Sequence, residues 1–152
     1  MRSAQISTPA AVTDNALVTQ MLGNFGDRIL AVQPTCDGMP TFWVDRKDVR
    51  ALLKSLRDDS TPRFEMLFDV TGIDERVRVH RDGQPAAEFT VIYHLMSFSG
   101  NCDVRIKVPL QDADLKLPTV VDLWPSANWY ERETWDMFGI EFEGHPNLYR
   151  IV

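Results

Sequence analysis

Residues 88–108 read EFTVIYHLMSFSGNCDVRIKV, a pattern typical of two neighbouring β-strands joined by a turn. Residues 88–98 are apolar on both alternating faces, which predicts a strand in the interior of a sheet. Ser99, Gly100 and Asn101 are turn-forming residues. Residues 104–108 then alternate aliphatic with basic side chains, the period-two pattern of a strand with one solvated face. This stretch therefore predicts an antiparallel hairpin.

More strands are predicted upstream of this hairpin. The short apolar run 64–70 favours a buried strand. Residues 76–81 alternate arginine or histidine with valine and end at the turn dipeptide Asp82-Gly83, which predicts another hairpin strand. Residues 28–33 and 40–44 read as two short strands that flank a turn at 35–38.

Helical periodicity appears in separate segments. A first helix is predicted over 14–24, with Asp14 as its N-cap, and a short helix over 120–124. After Asp45, a plausible N-cap, apolar residues recur at i, i+3, i+4 and i+7 (Val49, Leu52, Leu53 and Leu56). The predicted fold class is α+β, a mostly antiparallel sheet with helices packed on one side, plus a C-terminal helix and extended tail. The predicted division is a flexible N-terminus (1–12), the α+β domain (13–125) and a signature helix with a docking tail (126–152).

Composition narrows the functional classes. The 152 residues carry a net charge of −6, which argues against nucleic acid as a partner. No apolar run is long enough to span a bilayer and the N-terminus does not resemble a signal peptide, so a cytoplasmic protein is expected. Cys36 and Cys102 lie far apart, so neither a zinc site nor an iron–sulfur cluster is indicated, and both are predicted to be buried free thiols.

Residues 128–151, NWYERETWDMFGIEFEGHPNLYRI, are unusual in composition. Asn128 and Glu131 have the spacing of a capping box, and Gly139 is the natural end of the predicted helix. Tryptophan, tyrosine and phenylalanine alternate with acids and arginine on more than one helical face. Composition leaves two interpretations open: a protein–protein interface, or a helix sandwiched between the sheet and the tail with both faces buried.

The run 131–140, followed by Gly-His-Pro at 144–146 and Arg-Ile at 150–151, is similar to the signature of the C subunit of respiratory complex I, the NADH:quinone oxidoreductase. Residues 63–74 and 82–97 also resemble this family, in particular the bacterial form in which the C and D subunits are fused. Members of the family continue beyond the Arg-Ile pair. A chain that stops at Val152 is therefore expected to be the C part of such a C/D fusion.

The resemblance implies a non-catalytic scaffold subunit in the peripheral arm of a proton-pumping oxidoreductase, at the cytoplasmic face of the bacterial inner membrane. Its implied partners are the D, B and I subunits of complex I. The resemblance implies no cofactor in this chain, with FMN, iron–sulfur clusters, NADH and quinone bound by other subunits. It assigns no catalytic or metal-binding residue here, and the expected partner-interface residues are Trp129, Glu131, Arg132, Glu133, Trp135, Asp136, Phe138, Gly139, Gly144, His145, Pro146 and Arg150.

Two other functions remain open on the sequence alone. The equivalent subunit of a related membrane-bound hydrogenase or formate hydrogenlyase shares the ancestry. A free-standing metal-dependent hydrolase would use His80, His94 and nearby acids, although a polar cross-strand pair is the favoured explanation of these two histidines. The sequence contains no dinucleotide-binding, P-loop or G-x-S-x-G motif. His145 is expected to order the tail or meet a partner's carboxylate, and Arg132 can reach Asp136 at i+4.

Overall fold

The structure, a computed structural model, describes residues 15–79 and 83–146. The strands of this part of the chain are β1 (Ile29–Val32), β2 (Thr41–Val44), β3 (Met66–Asp74), β4 (Phe89–Ser97), β5 (Cys102–Leu110), β6 (Lys116–Pro118) and β7 (Glu141–Glu143). Its helices are α1 (Ala16–Phe25), α2 (Arg46–Asp58) and α3 (Ala127–Phe138), with a short 3₁₀ turn (Gly26–Arg28) after α1.

The large sheet has the strand order β1-β2-β5-β4-β3. β3, β4 and β5 follow one another as an antiparallel meander, and β1 pairs antiparallel with β2. Within the described part of this large sheet, the β2–β5 pair is the one parallel pair, with Phe42 opposite Ile106. The prediction of an α+β fold with a mostly antiparallel sheet is confirmed, and β4 lies in the sheet interior as expected.

One face of the sheet carries the hydrophobic core. Along β4, Val91, Tyr93 and Leu95 are fully buried, whereas Ile92 and His94 on the alternate face are only half-buried. α1 and α2 add their apolar stripes to the same core cluster. The helices thus cover one face, as predicted, because the apolar residues of the sheet and helices remove more surface from water when they share one core.

The second helix follows its predicted pattern closely. Asp45 caps α2 by accepting a hydrogen bond from the Lys47 amide at 3.0 Å. All of the predicted stripe residues are buried: Val49, Leu52, Leu53 and Leu56. For α1 the capping side chain is Asn15, whose Oδ1 accepts from the Leu17 amide at 2.8 Å. The predicted cap, Asp14, lies outside the described residues.

The predicted strand over 76–81 is wrong for the part that the structure describes. Residues 76–79 form a turn and bend, with the Arg78 amide donating to the Glu75 carbonyl at 3.3 Å. Val77 and Val79 are 87% and 91% exposed. Alternation therefore did not produce a strand here, and within residues 15–79 and 83–146 no layer covers the two valines. His80 and Asp82 lie outside the described residues.

Two smaller predictions are also wrong. Residues 121–123 form a turn instead of part of a helix, closed by amides of Leu123 and Trp124 that both donate to the Val120 carbonyl. Cys36 is exposed because it sits in the turn between β1 and β2, whereas Cys102 at the start of β5 is half-buried. Both cysteines are free, and burial raises the pKa of the Cys102 thiol.

Candidate docking surface

The helix α3 has one inward and one outward side. Ala127, Glu131 and Thr134 are buried at the spacing i, i+4 and i+7. Trp129 on the opposite side is 50% exposed. Helical geometry places Arg132, Glu133 and Asp136 on the same side as Trp129, and Trp135 at its border. Trp129 is thus not covered by the described residues, and most of the tail that the alternative interpretation invokes, residues 147–152, lies outside them.

The predicted capping box does not form. Ser126 occupies the N-cap position without a capping side-chain bond, and Asn128 lies inside the first turn. The other end of the helix agrees with the prediction. Gly139 adopts the left-handed conformation with φ of 73° and its amide donates to the Trp135 carbonyl at 2.8 Å.

Two hydroxyl groups attach α3 to the edge strand β3. Ser126 Oγ donates to the Leu67 carbonyl at 3.1 Å. Thr134 Oγ1 lies 3.3 Å from the Val70 carbonyl and 2.8 Å from the Tyr130 carbonyl. An uncovered edge strand presents unpaired backbone groups to other chains, so this helix protects the edge as well as packing on the core.

Glu131 is a correction to the predicted interface, because its side chain points into the protein. It is 0% exposed, and its two carboxyl oxygens accept from Thr119 Oγ1 at 2.5 Å and from the Val120 amide at 2.9 Å. Burial raises the pKa of the Glu131 carboxyl to about 7, against the lowering effect of these hydrogen bonds. The sequence gives one sign of this inward position: Ala127, Glu131 and Thr134 form a stripe of the right helical spacing.

A buried tyrosine lies near this carboxyl. Tyr93 on β4 is fully buried, and its hydroxyl has no hydrogen-bond partner within residues 15–79 and 83–146. Burial and then the charge of Glu131 raise the pKa of Tyr93 well above its usual value, so the phenol stays protonated. Sequence reasoning treated Tyr93 only as an apolar strand residue and missed this polar cluster.

The outer surface of α3, which we define as Trp129, Arg132, Glu133, Trp135 and Asp136, combines aromatic and charged groups. The guanidinium carbon of Arg132 lies 5.9 Å from the centre of the Trp129 ring, within the range of a cation–π contact. Glu133 is exposed, and Trp135 and Asp136 are half-buried. Tryptophan and arginine are the residues most enriched at the energetic centres of protein interfaces.

The segment after α3 returns to the helix. β7 pairs in parallel with β6, and Gly144 turns the chain with φ of 87°. His145 Nε2 then lies 3.1 Å from the Asn128 carbonyl, so its ring connects this segment to the first turn of α3. Pro146 is exposed, and the half-buried Phe138 ring packs closely on Gly72 of β3. Arg150 lies outside the described residues.

The described residues offer little for other chemistry. His94 pairs with Asp103 at 2.9 Å and contacts the Phe68 ring, whereas His80 lies outside the described part. No group of three metal-ligating side chains forms within residues 15–79 and 83–146. Within the same residues no helix has the length and apolar character that a membrane crossing requires.

Comparisons with known proteins agree on one family. The family model described as "Respiratory-chain NADH dehydrogenase, 30 Kd subunit" matches residues 42–152. The fused C/D subunit of the NADH-quinone oxidoreductase of Acidiphilium cryptum is 52% identical over 146 residues, which cover 96% of this chain and 25% of that protein. The C/D subunit of Acinetobacter baylyi is 53% identical over 137 residues, covering 90% of this chain and 23% of that protein. The chain thus spans about a quarter of these relatives.

Solved structures show the same fold. A structure titled "Nqo5 of the trypsin-resistant fragment (1-134) in P63 form" aligns with a TM-score of 0.66 at 31% identity, covering 77% of this chain and 88% of that one. A chain of the archaeal membrane-bound sulfane sulfur reductase aligns with a TM-score of 0.66 at 24% identity, over 84% of this chain and 69% of that one, a likeness of fold alone. By its match over residues 42–152 and its relatives at about 50% identity, the chain belongs to the family of the 30 kDa subunit of the respiratory-chain NADH dehydrogenase, and within it to the C/D type.

Proposed function

We propose that this chain is a non-catalytic scaffold part of the peripheral arm of a proton-pumping NADH:quinone oxidoreductase. The observation that carries the proposal is the two-sided character of α3. Its inner side is fixed to β3 and to residues 119–120, while its outer surface presents two tryptophans among charges. In this proposal the outer surface of α3 and the tail dock onto the D part of the fused C/D protein, with the B and I subunits nearby.

The proposal assigns no cofactor to this chain. FMN, the iron–sulfur clusters, NADH and quinone belong to the partner subunits, and the complex places this chain at the cytoplasmic face of the bacterial inner membrane. Support for the assignment comes from the names of the relatives, which are NADH-quinone oxidoreductase subunits. The alternatives have less support, since the likeness to the sulfane sulfur reductase concerns the fold alone. His94, the described histidine of the alternative hydrolase site, is paired with Asp103.

A binding measurement tests the docking role. The chain is mixed with the remaining three quarters of the Acidiphilium cryptum C/D protein, which we call the D part, and the affinity is measured by calorimetry. Trp129→Ala is expected to weaken binding by about 30-fold, because an exposed tryptophan at the centre of an interface contributes about 2 kcal/mol. The double variant Trp135→Ala/Asp136→Ala is expected to weaken binding more than Trp129→Ala does.

The matched control is Phe98→Ala, since Phe98 is 66% exposed but lies at the end of β4 instead of on α3. This variant removes a comparable exposed aromatic side chain and is expected to leave the affinity nearly unchanged. Equal affinities for the wild type and the Trp129→Ala variant, or a larger loss with Phe98→Ala, would show that docking does not use the outer surface of α3.

A further inference from the structure

Two valines between β3 and β4 are turned outward. Val77 and Val79 are 87% and 91% exposed, more than any other large hydrophobic side chain within residues 15–79 and 83–146. A single exposed valine is ordinary on a protein surface, but two at alternate positions of one turn form an apolar patch. We call residues 76–79 the valine turn.

The charged side chains of the valine turn point back to the protein. Arg76 Nε and Nη2 donate to the Asp74 carboxylate at 3.0 and 2.8 Å, and its guanidinium carbon lies 4.7 Å from the centre of the Phe89 ring. Arg78 Nη1 donates to Glu75 Oε1 at 2.9 Å. Each arginine is thus neutralised by an acid of its own, while the apolar side chains face solvent. This is the reverse of an ordinary surface turn, in which charges face water and valines pack inward.

A buried carboxylate holds the valine turn at its base. The Glu75 side chain is only 3% exposed, and besides Arg78 it accepts from Gln84 Nε2 at 3.3 Å. The Glu75 amide donates to the Glu88 carbonyl at 2.8 Å. A turn fixed in this way loses little conformational entropy when a partner binds, so the valines are preorganised for docking.

The valine turn follows the end of α3 along the same edge of the sheet. The helix runs in the direction of the edge strand β3, because Ser126 bonds to Leu67 early in the strand and Phe138 packs on Gly72 near its end. From Gly72 to Val77 the chain advances by five positions, which span at most about 18 Å. The valine turn therefore lies just past the last turn of the helix.

The outer surface of α3 is too small to be a complete interface by itself. A stable protein–protein interface covers about 800 Å² of each partner, a patch roughly 30 Å across. Trp129 lies about 13 Å from the end of α3, so a patch of this size that includes it extends past the helix. The exposed apolar side chains in that direction are Met137, which is 68% exposed, and those of the valine turn.

We propose that Val77 and Val79 are a second apolar anchor for the D part, which receives them in an apolar pocket beyond the C-terminal end of α3. In the C/D relatives the D part belongs to the same polypeptide, so its local concentration is high. The neutralised arginines suit an apolar protein pocket better than an anionic lipid surface, which attracts unpaired cations. The inference rests on the docking role proposed above and adds a contact outside α3.

The test uses threonine substitutions and calorimetry with the same D part. Threonine keeps the size and branched shape of valine, and both side chains face water in the free chain. The free energy of unfolding of Val77→Thr/Val79→Thr should therefore equal that of the wild type. In an apolar pocket each new hydroxyl loses its hydrogen bonds to water, so each substitution should raise the Kd about tenfold and the double variant about 100-fold.

The matched control is Leu30→Asn. Leu30 is an exposed apolar residue of β1, which lies at the opposite edge of the sheet from β3, and asparagine has nearly its shape. This control should leave the Kd unchanged. A second measurement needs no substitution: on titration of the wild type with the D part, the methyl signals of Val77 and Val79 should shift and those of Leu30 should not.

Other occupants of the valine turn predict different results. Vesicles of phosphatidylserine and phosphatidylcholine in equal parts should bind the wild type and the double threonine variant equally weakly. Vesicle binding that the variant loses, with an unchanged Kd for the D part, would assign the valines to a lipid surface. Self-association that the variant loses in sedimentation equilibrium, again with an unchanged Kd, would assign them to a second copy of this chain. Either result overturns the proposal.

The two proposals fail differently. If Trp129→Ala weakens binding but the double threonine variant binds like the wild type and the valine methyl signals do not move, the valine anchor is refuted and docking through α3 stands. If the threonine variant weakens binding but Trp129→Ala does not, the valine anchor stands and the role of α3 is refuted. If the wild type does not bind the D part, the docking function is refuted, and the valine anchor with it.

Discussion

Replacing Gly72 by alanine tests how tightly α3 sits on β3. A Cβ atom added at this position would lie 2.7 Å from Cδ2, 2.9 Å from Cε2 and 3.1 Å from Cγ of Phe138. Because Cγ is among these atoms, rotation of the ring about its own axis cannot remove the overlap. The ring and the last turn of α3 must move away from the strand.

Two opposing terms set the expected magnitude. Overpacking of this kind costs about 1–3 kcal/mol, whereas alanine in a strand is about 0.5–1 kcal/mol more favourable than glycine. The net loss in the free energy of unfolding is therefore about 0–2.5 kcal/mol. In a Phe138→Ala background the overlap is absent, so the same replacement should stabilise the protein by about 0.5–1 kcal/mol.

The assay is urea unfolding followed by tryptophan fluorescence for the wild type, both single variants and the double variant. The four free energies form a double-mutant cycle in which the expected coupling is about 1–3 kcal/mol, provided that the m-values agree. A Gly72→Ala effect of the same sign and size in both backgrounds would refute the close contact between β3 and the end of α3.

Three further outcomes are expected. Tyr93→Phe should raise the free energy of unfolding by about 1 kcal/mol, because it removes a buried hydroxyl without a partner in the described part of the chain. A measured decrease in the free energy of unfolding would mean that the hydroxyl has a hydrogen-bond partner. Glu131 has its pKa raised from 4.5 to about 7, so its contribution to stability is complete below pH 4.5 and is lost as the pH rises through 7. Relative to Glu131→Gln, the wild type should therefore lose about 3 kcal/mol between pH 4.5 and 8 in unfolding experiments, and parallel pH profiles would contradict this cause. Gly139→Ala should destabilise the protein by about 1 kcal/mol because its φ of 73° disfavours a side chain, and a gain in stability like the one expected for Gly23→Ala inside α1 would argue against this.

The elements that sequence periodicity predicted well bury one complete face. The stripe of α2 and the alternation of β5 report directly on a shared core, so local pattern and packing agree. Residues 76–79 have the same kind of alternation without a layer to cover it, and they form a turn. Period-two alternation therefore predicts a strand only where another layer of the fold buries its apolar face.

The candidate docking surface was predictable in part. The composition of residues 128–138 allowed an interface or a helix buried on both faces, and the structure places Trp129 and Glu133 on the exposed side of α3. The inward direction of Glu131 was not predicted, because a charged residue beside exposed tryptophans is expected to face solvent. Its actual partners, Thr119 and Val120, lie eleven or twelve positions earlier, and only the folded arrangement brings them to it.

The parallel pairing of β2 with β5 has a consequence for the order of folding. The meander of β3, β4 and β5 closes short loops, whereas Phe42 meets its partner Ile106 across 64 positions of the chain. During synthesis at about 5–20 residues per second, β2 leaves the ribosome roughly 3–13 s before the strand that it must pair with. In that interval the edge of β2 that will face β5 is open, and chaperones that recognise extended apolar segments have their opportunity to bind there.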